Sequence, residues 1–278
     1  MLEKYTKFVI SKCWAVIAAC VLITVVFGKG TIDLDFSSDY QAFFSDDNPQ
    51  LVAFESVQKT YSRSDNLFIM IAPESGDVFD ENTLNAILEI TDKAWDIPYV
   101  TRVDSLSNFQ HSYGVDDDLV VKDLFDTAQV DKAHLRKIAL NEPLLVNRLV
   151  SPNADATGVN ITINLPGENP MFELPEVAEV ARAIILEMEN QYPSVQFYES
   201  GMIMLDNALA ESTVIDLVTL VPLVYILVAV GVALFLRSVW LSVGTVILVT
   251  LSIVSAMGLA GWLGVVLTPP SALSLIHI

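Results

Sequence analysis

"VIDLVTLVPLVYILVAVGVALFL" (Val214–Leu236), followed by "RSVW" (Arg237–Trp240), decides the fold class. The first stretch is 23 residues long with one charge, Asp216. At 1.5 Å per residue a helix of that length covers about 34 Å, enough to cross a hydrocarbon core. Directly after the short loop comes "LSVGTVILVTLSIVSAMGLAGWLGVVL" (Leu241–Leu267), a second run of spanning length. So short a loop sends the chain back the way it came.

Working toward the N-terminus, "FVISKCWAVIAACVLITVVF" (Phe8–Phe27) is a third apolar run. It is longer than the apolar part of a signal peptide, and "FGKGTIDL" offers no small-residue cleavage site, so it reads as an anchor. Lys4, Lys7 and Lys12 flank or enter its start, which by the positive-inside rule places the N-terminus in the cytoplasm. Arg237 falls on the same side. The expected organisation is residues 1–29 as cytoplasmic N-terminus and first span, 30–213 as an outside domain, 214–236 and 239–267 as the second and third spans, and 268–278 as an outer turn and a cut or non-native end. In the third span Ala260 and Gly264 have small-xxx-small spacing, with Ser252, Ser255, Gly258 and Gly261 nearby. Small residues let helices approach closely in lipid, so this helix is expected to meet partners outside the chain.

The charge divides along the same lines. The 278 residues are 53% hydrophobic with a mean hydropathy of +0.49, yet the net charge is -19. Residues 30–213 hold 32 of the 34 acids and 10 of the 15 bases, a net -22, and the remainder holds 2 and 5, a net +3. An acidic, water-facing domain is therefore inserted into a membrane protein. Such a surface repels phosphate backbones, and nucleic acid is not an expected partner. Both cysteines, Cys13 and Cys20, lie a heptad apart in the first apolar run, where they read as small packing residues.

Within the outside domain, short β-rich runs alternate with amphipathic stretches. Strands are expected at Asn66–Pro73, Val100–Leu106, Val159–Leu165 and Val195–Gly201. "ENTLNAILEITDKAWDI" has Leu84, Ile87, Leu88, Thr91 and Trp95 at helical spacing, and "ELPEVAEVARAIILEMENQYP" is a helix stopped by Pro193. The order strand, helix, strand, insertion, strand, helix, strand is the split β-α-β arrangement, so the fold class is a membrane α-helical protein with an inserted α+β, ferredoxin-like domain. The insertion, about 107–153, is expected to be helical.

Chemical signals are sparse. Asp116, Asp117 and Asp118 lack the alternating ligands and turn glycine of a calcium loop and read as a solvated turn or cap. His111 and His134 have no zinc-ligand spacing around them. No nucleophile elbow, phosphate loop or dinucleotide fingerprint occurs, so neither an enzyme nor a cofactor is expected. Asp216 is the candidate for an ion or substrate path, because an ionisable group near membrane depth is a functional hypothesis by default; the competing reading places it among headgroups.

Taken together, "DLVTLVPLVYILVAVGVALFLRS", "GLAGWLGVVLTPPSAL", "FFSDDNPQLVAFESVQKTYSRSDNLFIMI", "IPYVTRVDSLSNFQH" and "EPLLVNRLVSPNADATGVNITINLP" resemble the first part of an RND-superfamily exporter of the MMPL-like, hydrophobe/amphiphile efflux type. The resemblance runs nearly from Met1 to Leu273. It implies a periplasmic porter-type domain, a multi-pass protein of the bacterial inner membrane, and proton-driven export of lipid-like molecules. It also implies further transmembrane helices, with the proton-relay carboxylates in a fourth helix, so none is assigned here. The expected partners are membrane lipids or amphiphilic substrates, the remaining helices of a full-length protein, and further copies in a homo-oligomer. Sterol-sensing proteins share the helix arrangement, which keeps a lipid-sensing or accessory binding role open.

Overall fold

The computed structural model describes residues 10–34, 44, 47–61, 65–167 and 170–267. Lys4 and Lys7, on which the orientation of the first span rests, and the stretch 268–278 lie outside the described residues. The chain divides into two units: Asp46–Ala208, and Met1–Ser45 together with Leu209–Ile278.

The second of these contains the apolar helices. Helix α1 (Cys13–Gly28) continues into a 3-10 turn, Lys29–Asp33, and α7 spans Val239–Trp262. Helix α6 (Met202–Leu236) begins in the other unit and runs on into this one. All three are long and apolar enough to cross a membrane.

Two of the small residues of α7 have a partner within the chain. Gly258 and Gly261 are buried on α1 and the turn that follows it. A Cβ on Gly258 would strike the carbonyl oxygen of Phe27, one on Gly261 that of Gly30, and one on Gly30 that of Gly258. Backbone therefore lies on backbone, the approach that small residues permit in lipid. Around the crossing, Trp262 packs edge-to-face on Phe27 with ring centres 6.0 Å apart, and Ser255 Oγ lies 3.2 Å from Thr24 Oγ1.

Gly264 has a different job. At φ 66° its N–H donates to Gly261 O and that of Val265 to Ala260 O, both at 3.0 Å. That left-handed cap ends α7 at Trp262, short of the expected Leu267. Cys13 and Cys20 are exposed on α1.

In the Asp46–Ala208 unit, α2 (Pro49–Tyr61) precedes strand β1 (Asp65–Pro73). Then follow α3 (Glu81–Lys93), β2 (Val100–Asp104), β3 (Gln110–Val115), β4 (Asp118–Asp123), α4 (Lys132–Asn141), β5 (Thr157–Ile163), α5 (Pro170–Gln191) and β6 (Val195–Ser200). Four strands form an antiparallel sheet in the order β2-β5-β1-β6, so two β-α-β units interleave, and β1 and β5 lie at the centre. This is the α+β class read from the sequence. Along β1, burial alternates residue by residue, with Leu67, Ile69 and Ile71 on the covered face. Leu84, Ile87 and Ile90 of α3 and Val177, Ala181 and Met188 of α5 complete that core.

Helix α3 starts where Asp80 can cap it: Oδ1 accepts from Thr83 N–H at 2.7 Å and Oδ2 from Ser75 Oγ at 2.6 Å. Burial pushes the Asp80 pKa up, but the hydrogen bonds from Ser75 and Thr83 outweigh it and hold the carboxyl below its usual value.

The insertion departs from expectation. Only Lys132–Asn141 is helical, and its first half is a two-stranded hairpin, β3–β4. Asp116 and Asp117 form the two-residue turn, with Asp116 at φ 53°. The reason is local: Ser112 and Gly114 alternate with Tyr113 and Val115, Leu119, Val120 and Val121 form a short β-prone apolar run, and Asp tolerates the left-handed turn. Asp116 and Asp117 are thus a solvated turn, and Asp118 opens β4.

Candidate functional site

Two places combine polar groups with apolar surface. The first is the start of α6. Gly201, at φ 104°, makes the bend out of β6, since a Cβ there would meet Asn66 O at 2.5 Å. Asn66 Oδ1 then accepts the Met202 N–H at 3.3 Å, fixing the first turn. From there α6 carries Asp206, Asn207, Glu211, Ser212, Thr213 and Asp216 before its residues become apolar. Asp206 and Asn207 are 3% and 1% exposed, and Thr213 is also buried, its hydroxyl donating to Leu209 O at 2.7 Å. Asp216 is half-buried and has no hydrogen bond or ion pair among the described residues. The carboxylate that sequence picked out is therefore the most lipid-ward member of a polar stretch, and the buried ones precede it. Asp206 and Asn207 escaped notice because they lie before the apolar run, where a soluble domain was expected.

The second place is a groove of about 510 Å³ between α5 and the edge strand β6. Ile185, Leu186, Phe197 and Tyr198 form its apolar lining, with Arg182, Glu189 and Glu199 at its margin. Arg182 Nε lies 3.1 Å from Glu199 Oε1, so the pair stands as one zwitterionic element beside an apolar floor. Leu186 is 61% exposed and Tyr198 48%.

Polar contacts between α3 and α5 hold that helix layer in place. Tyr192 Oη donates to Glu89 Oε2 at 2.8 Å, and its pKa is pushed up to about 12 by burial and by the Glu89 carboxylate. Lys93 bridges Glu187 at 3.0 Å and Glu89 at 3.7 Å. The hydrogen bond to Glu187 holds the Lys93 pKa above its usual value, with burial opposing.

Among the described residues, His111 and His134 stay apart from any ligand set. His111 stacks on Tyr113 within β3, ring centres 5.4 Å apart, and His134 lies in the first turn of α4, its N–H donating to Asp131 Oδ1 at 3.2 Å. Among the described residues no three His, Cys, Asp or Glu side chains are grouped to hold a metal ion.

No family model matches the chain. No curated protein matches it either. What stands is a membrane protein with three apolar helices of spanning length and an α+β unit inserted between the first and second.

Proposed function

We propose that this chain is the N-terminal part of a proton-driven exporter of hydrophobic or amphiphilic molecules, of the RND/MMPL-like type. Its place is a bacterial inner membrane, with the N-terminus cytoplasmic and the α+β unit acting as a periplasmic porter domain. The observation that carries this is the insertion of an α+β unit between α1 and the α6–α7 pair, with one unbroken helix leading from β6 into an apolar span. The groove lined by Leu186, Phe197 and Tyr198 suits an amphiphile, offering an apolar floor beside the Arg182–Glu199 pair. The reading assigns no enzymatic step to the chain. Asp216 takes a place on the ion or substrate path, and the proton relay belongs to further helices.

A binding role without transport, as a lipid-sensing or accessory protein, is favoured by one observation: the groove is complete within the α+β unit. One experiment separates the readings. The chain is reconstituted in lipid vesicles with a fluorescent amphiphile such as N-phenylnaphthylamine, with and without an imposed pH gradient. The exporter-part reading expects binding that Leu186→Arg weakens about tenfold, and no gradient-driven movement by this chain alone. Clear proton-coupled movement overturns the assignment of the relay to other helices. Absence of binding overturns both readings.

A further inference from the structure

Helix α6 passes from the α+β unit into the apolar one, and the two ends of its 35 residues are built differently. Its root is fixed. Gly201 bends the chain out of β6 at a corner where a Cβ would meet Asn66 O, so only glycine fits there. The Asn66 side chain holds the next residue in place. Its Oδ1 accepts the Met202 N–H at 3.3 Å, and its Nδ2 donates to Asn160 Oδ1 at 3.0 Å, which ties the first turn of α6 to both central strands. Ile203 and Met204 belong to the core of the α+β unit, and Asp206 and Asn207 are buried. The first two turns of α6 are thus part of that unit.

Further along, the backbone ladder weakens. Thr213 Oγ1 donates to Leu209 O and Thr219 Oγ1 to Ile215 O, each at 2.7 Å. A hydroxyl bonded to the carbonyl four residues back competes with the helical N–H and favours bending. Three residues after Thr219 comes Pro222, inside the helix. Pro222 has no N–H to offer the carbonyl of Val218, and its ring crowds that carbonyl. In an apolar environment no water takes the place of the missing donor, and proline is where a helix bends most readily. Helix α7 also carries back-bonded threonines, Thr245 and Thr250, but no proline in its 24 residues. Of these two apolar helices, only α6 has both weaknesses within one short stretch.

We propose that α6 is a jointed lever: its first two turns move as one body with the α+β unit, and changes of angle between that unit and the end of the span are taken up between Thr213 and Pro222. The joint therefore lies past the start of the apolar run and not at the corner between β6 and α6. Its cause is the missing Pro222 donor, with the back-bonded threonines softening the turns before it. Asp216 lies inside the joint, so a bend there moves its carboxylate relative to the rest of the span. The inference holds for a part of an exporter and for a binding protein alike.

The test measures distances between pairs of spin labels by pulsed electron resonance, on the full chain in lipid nanodiscs, with Cys13→Ala and Cys20→Ala to remove the native thiols. Asp92, Ala208 and Phe235 are exposed and can carry labels. Asp92→Cys with Ala208→Cys reads the root, and Asp92→Cys with Phe235→Cys reads across the joint. Phe235 lies 13 residues beyond Pro222, about 20 Å along the helix, so a bend of about 20° displaces it by about 7 Å. The root pair is expected to give one narrow distribution, which Pro222→Ala leaves unchanged. The joint pair is expected to spread over about 7 Å more than the root pair, and to narrow to the root pair's width on Pro222→Ala. Because alanine favours the helix, that variant keeps the fold while closing the joint. An equal spread in the root pair, a joint pair as narrow as the root pair with Pro222 present, or a spread that Pro222→Ala does not reduce each overturns the proposal.

Discussion

Helix α7 and strand β1 are both apolar runs, yet they treat their side chains in opposite ways. β1 turns Leu67, Ile69 and Ile71 inward until none is exposed, and the α+β unit closes over them with the aliphatic side chains of α3 and α5. α7 turns Val239, Trp240, Leu241 and Leu248 outward, and the residues it buries are Ser242, Gly258 and Gly261. Helix α1 buries none of its residues at all. In water the cost of exposing hydrocarbon gathers the large side chains at the centre. In lipid that force vanishes between helices, and what remains is the dispersion and hydrogen bonding available when two backbones come close, which large side chains would prevent. The same amino acids thus build an interior in one unit and an exterior in the other.

That contrast can be broken most decisively at the glycine crossing. Gly258→Val or Gly261→Val is expected to abolish α1–α7 packing, because the added side chain meets backbone and not a movable side-chain tip. Thr24→Cys with Ser255→Cys provides the readout in a background free of Cys13 and Cys20: oxidative cross-linking of that pair should fall at least about tenfold on adding Gly258→Val. Unchanged cross-linking would mean that the helices meet elsewhere. The opposite substitution sharpens the comparison from the other side. Ile69→Ala or Leu84→Ala in the α+β unit should cost roughly 2–5 kcal/mol in chemical denaturation, through lost transfer energy and a residual cavity. Large-to-small changes at exposed Leu248 of α7 should be close to neutral in a lipid bilayer.

A smaller effect belongs to the cap of α3. Asp80→Ala should remove about 1 kcal/mol from the α+β unit. The sign of its pH dependence follows from the folded carboxyl being held below the unfolded value of 3.8. Its contribution is fully present above that value and is lost as pH falls through the lower, folded one. The wild type and Asp80→Ala should therefore converge in stability as pH falls through the folded value and stay separated at neutral pH; a gap that persists in strong acid would mean that the cap does not act through its charge.

The periodic parts of this fold were legible from the sequence. The strands around Ile69 and Ile161 and the helices around Ile87 and Ala181 appeared from spacing because each packs against water on one side and core on the other, and only that asymmetry writes a period into a sequence. Where the asymmetry is missing, the reading failed. The hairpin at Asp116 has no covered face, so its alternation had nothing to sharpen it, and an Asp-Asp turn lacks the glycine that usually announces one. At the second span, the apolar run begins at Val214 but the helix begins at Met202. Hydropathy marks where lipid-compatible sequence starts, while the helix starts wherever the backbone bonds do, so Asp206 and Asn207 were not seen to open the same helix as Asp216. The glycine stripe of α7 was seen, but spacing cannot say which helix a stripe will meet.

The crossing of α1 and α7 has a consequence for how this protein can vary. A contact between large side chains can be tuned, since Ile, Val, Leu and Met form a graded series through which a lineage can drift while compensating elsewhere. At Gly30, Gly258 and Gly261 there is no such series, because the residue next in size already carries the atom that collides with a carbonyl. Substitution there is close to all-or-none, and compensation would have to come from moving a whole helix. The membrane half of this chain should therefore be free to change its composition across nearly its whole surface and be fixed at a handful of positions that contribute no side chain.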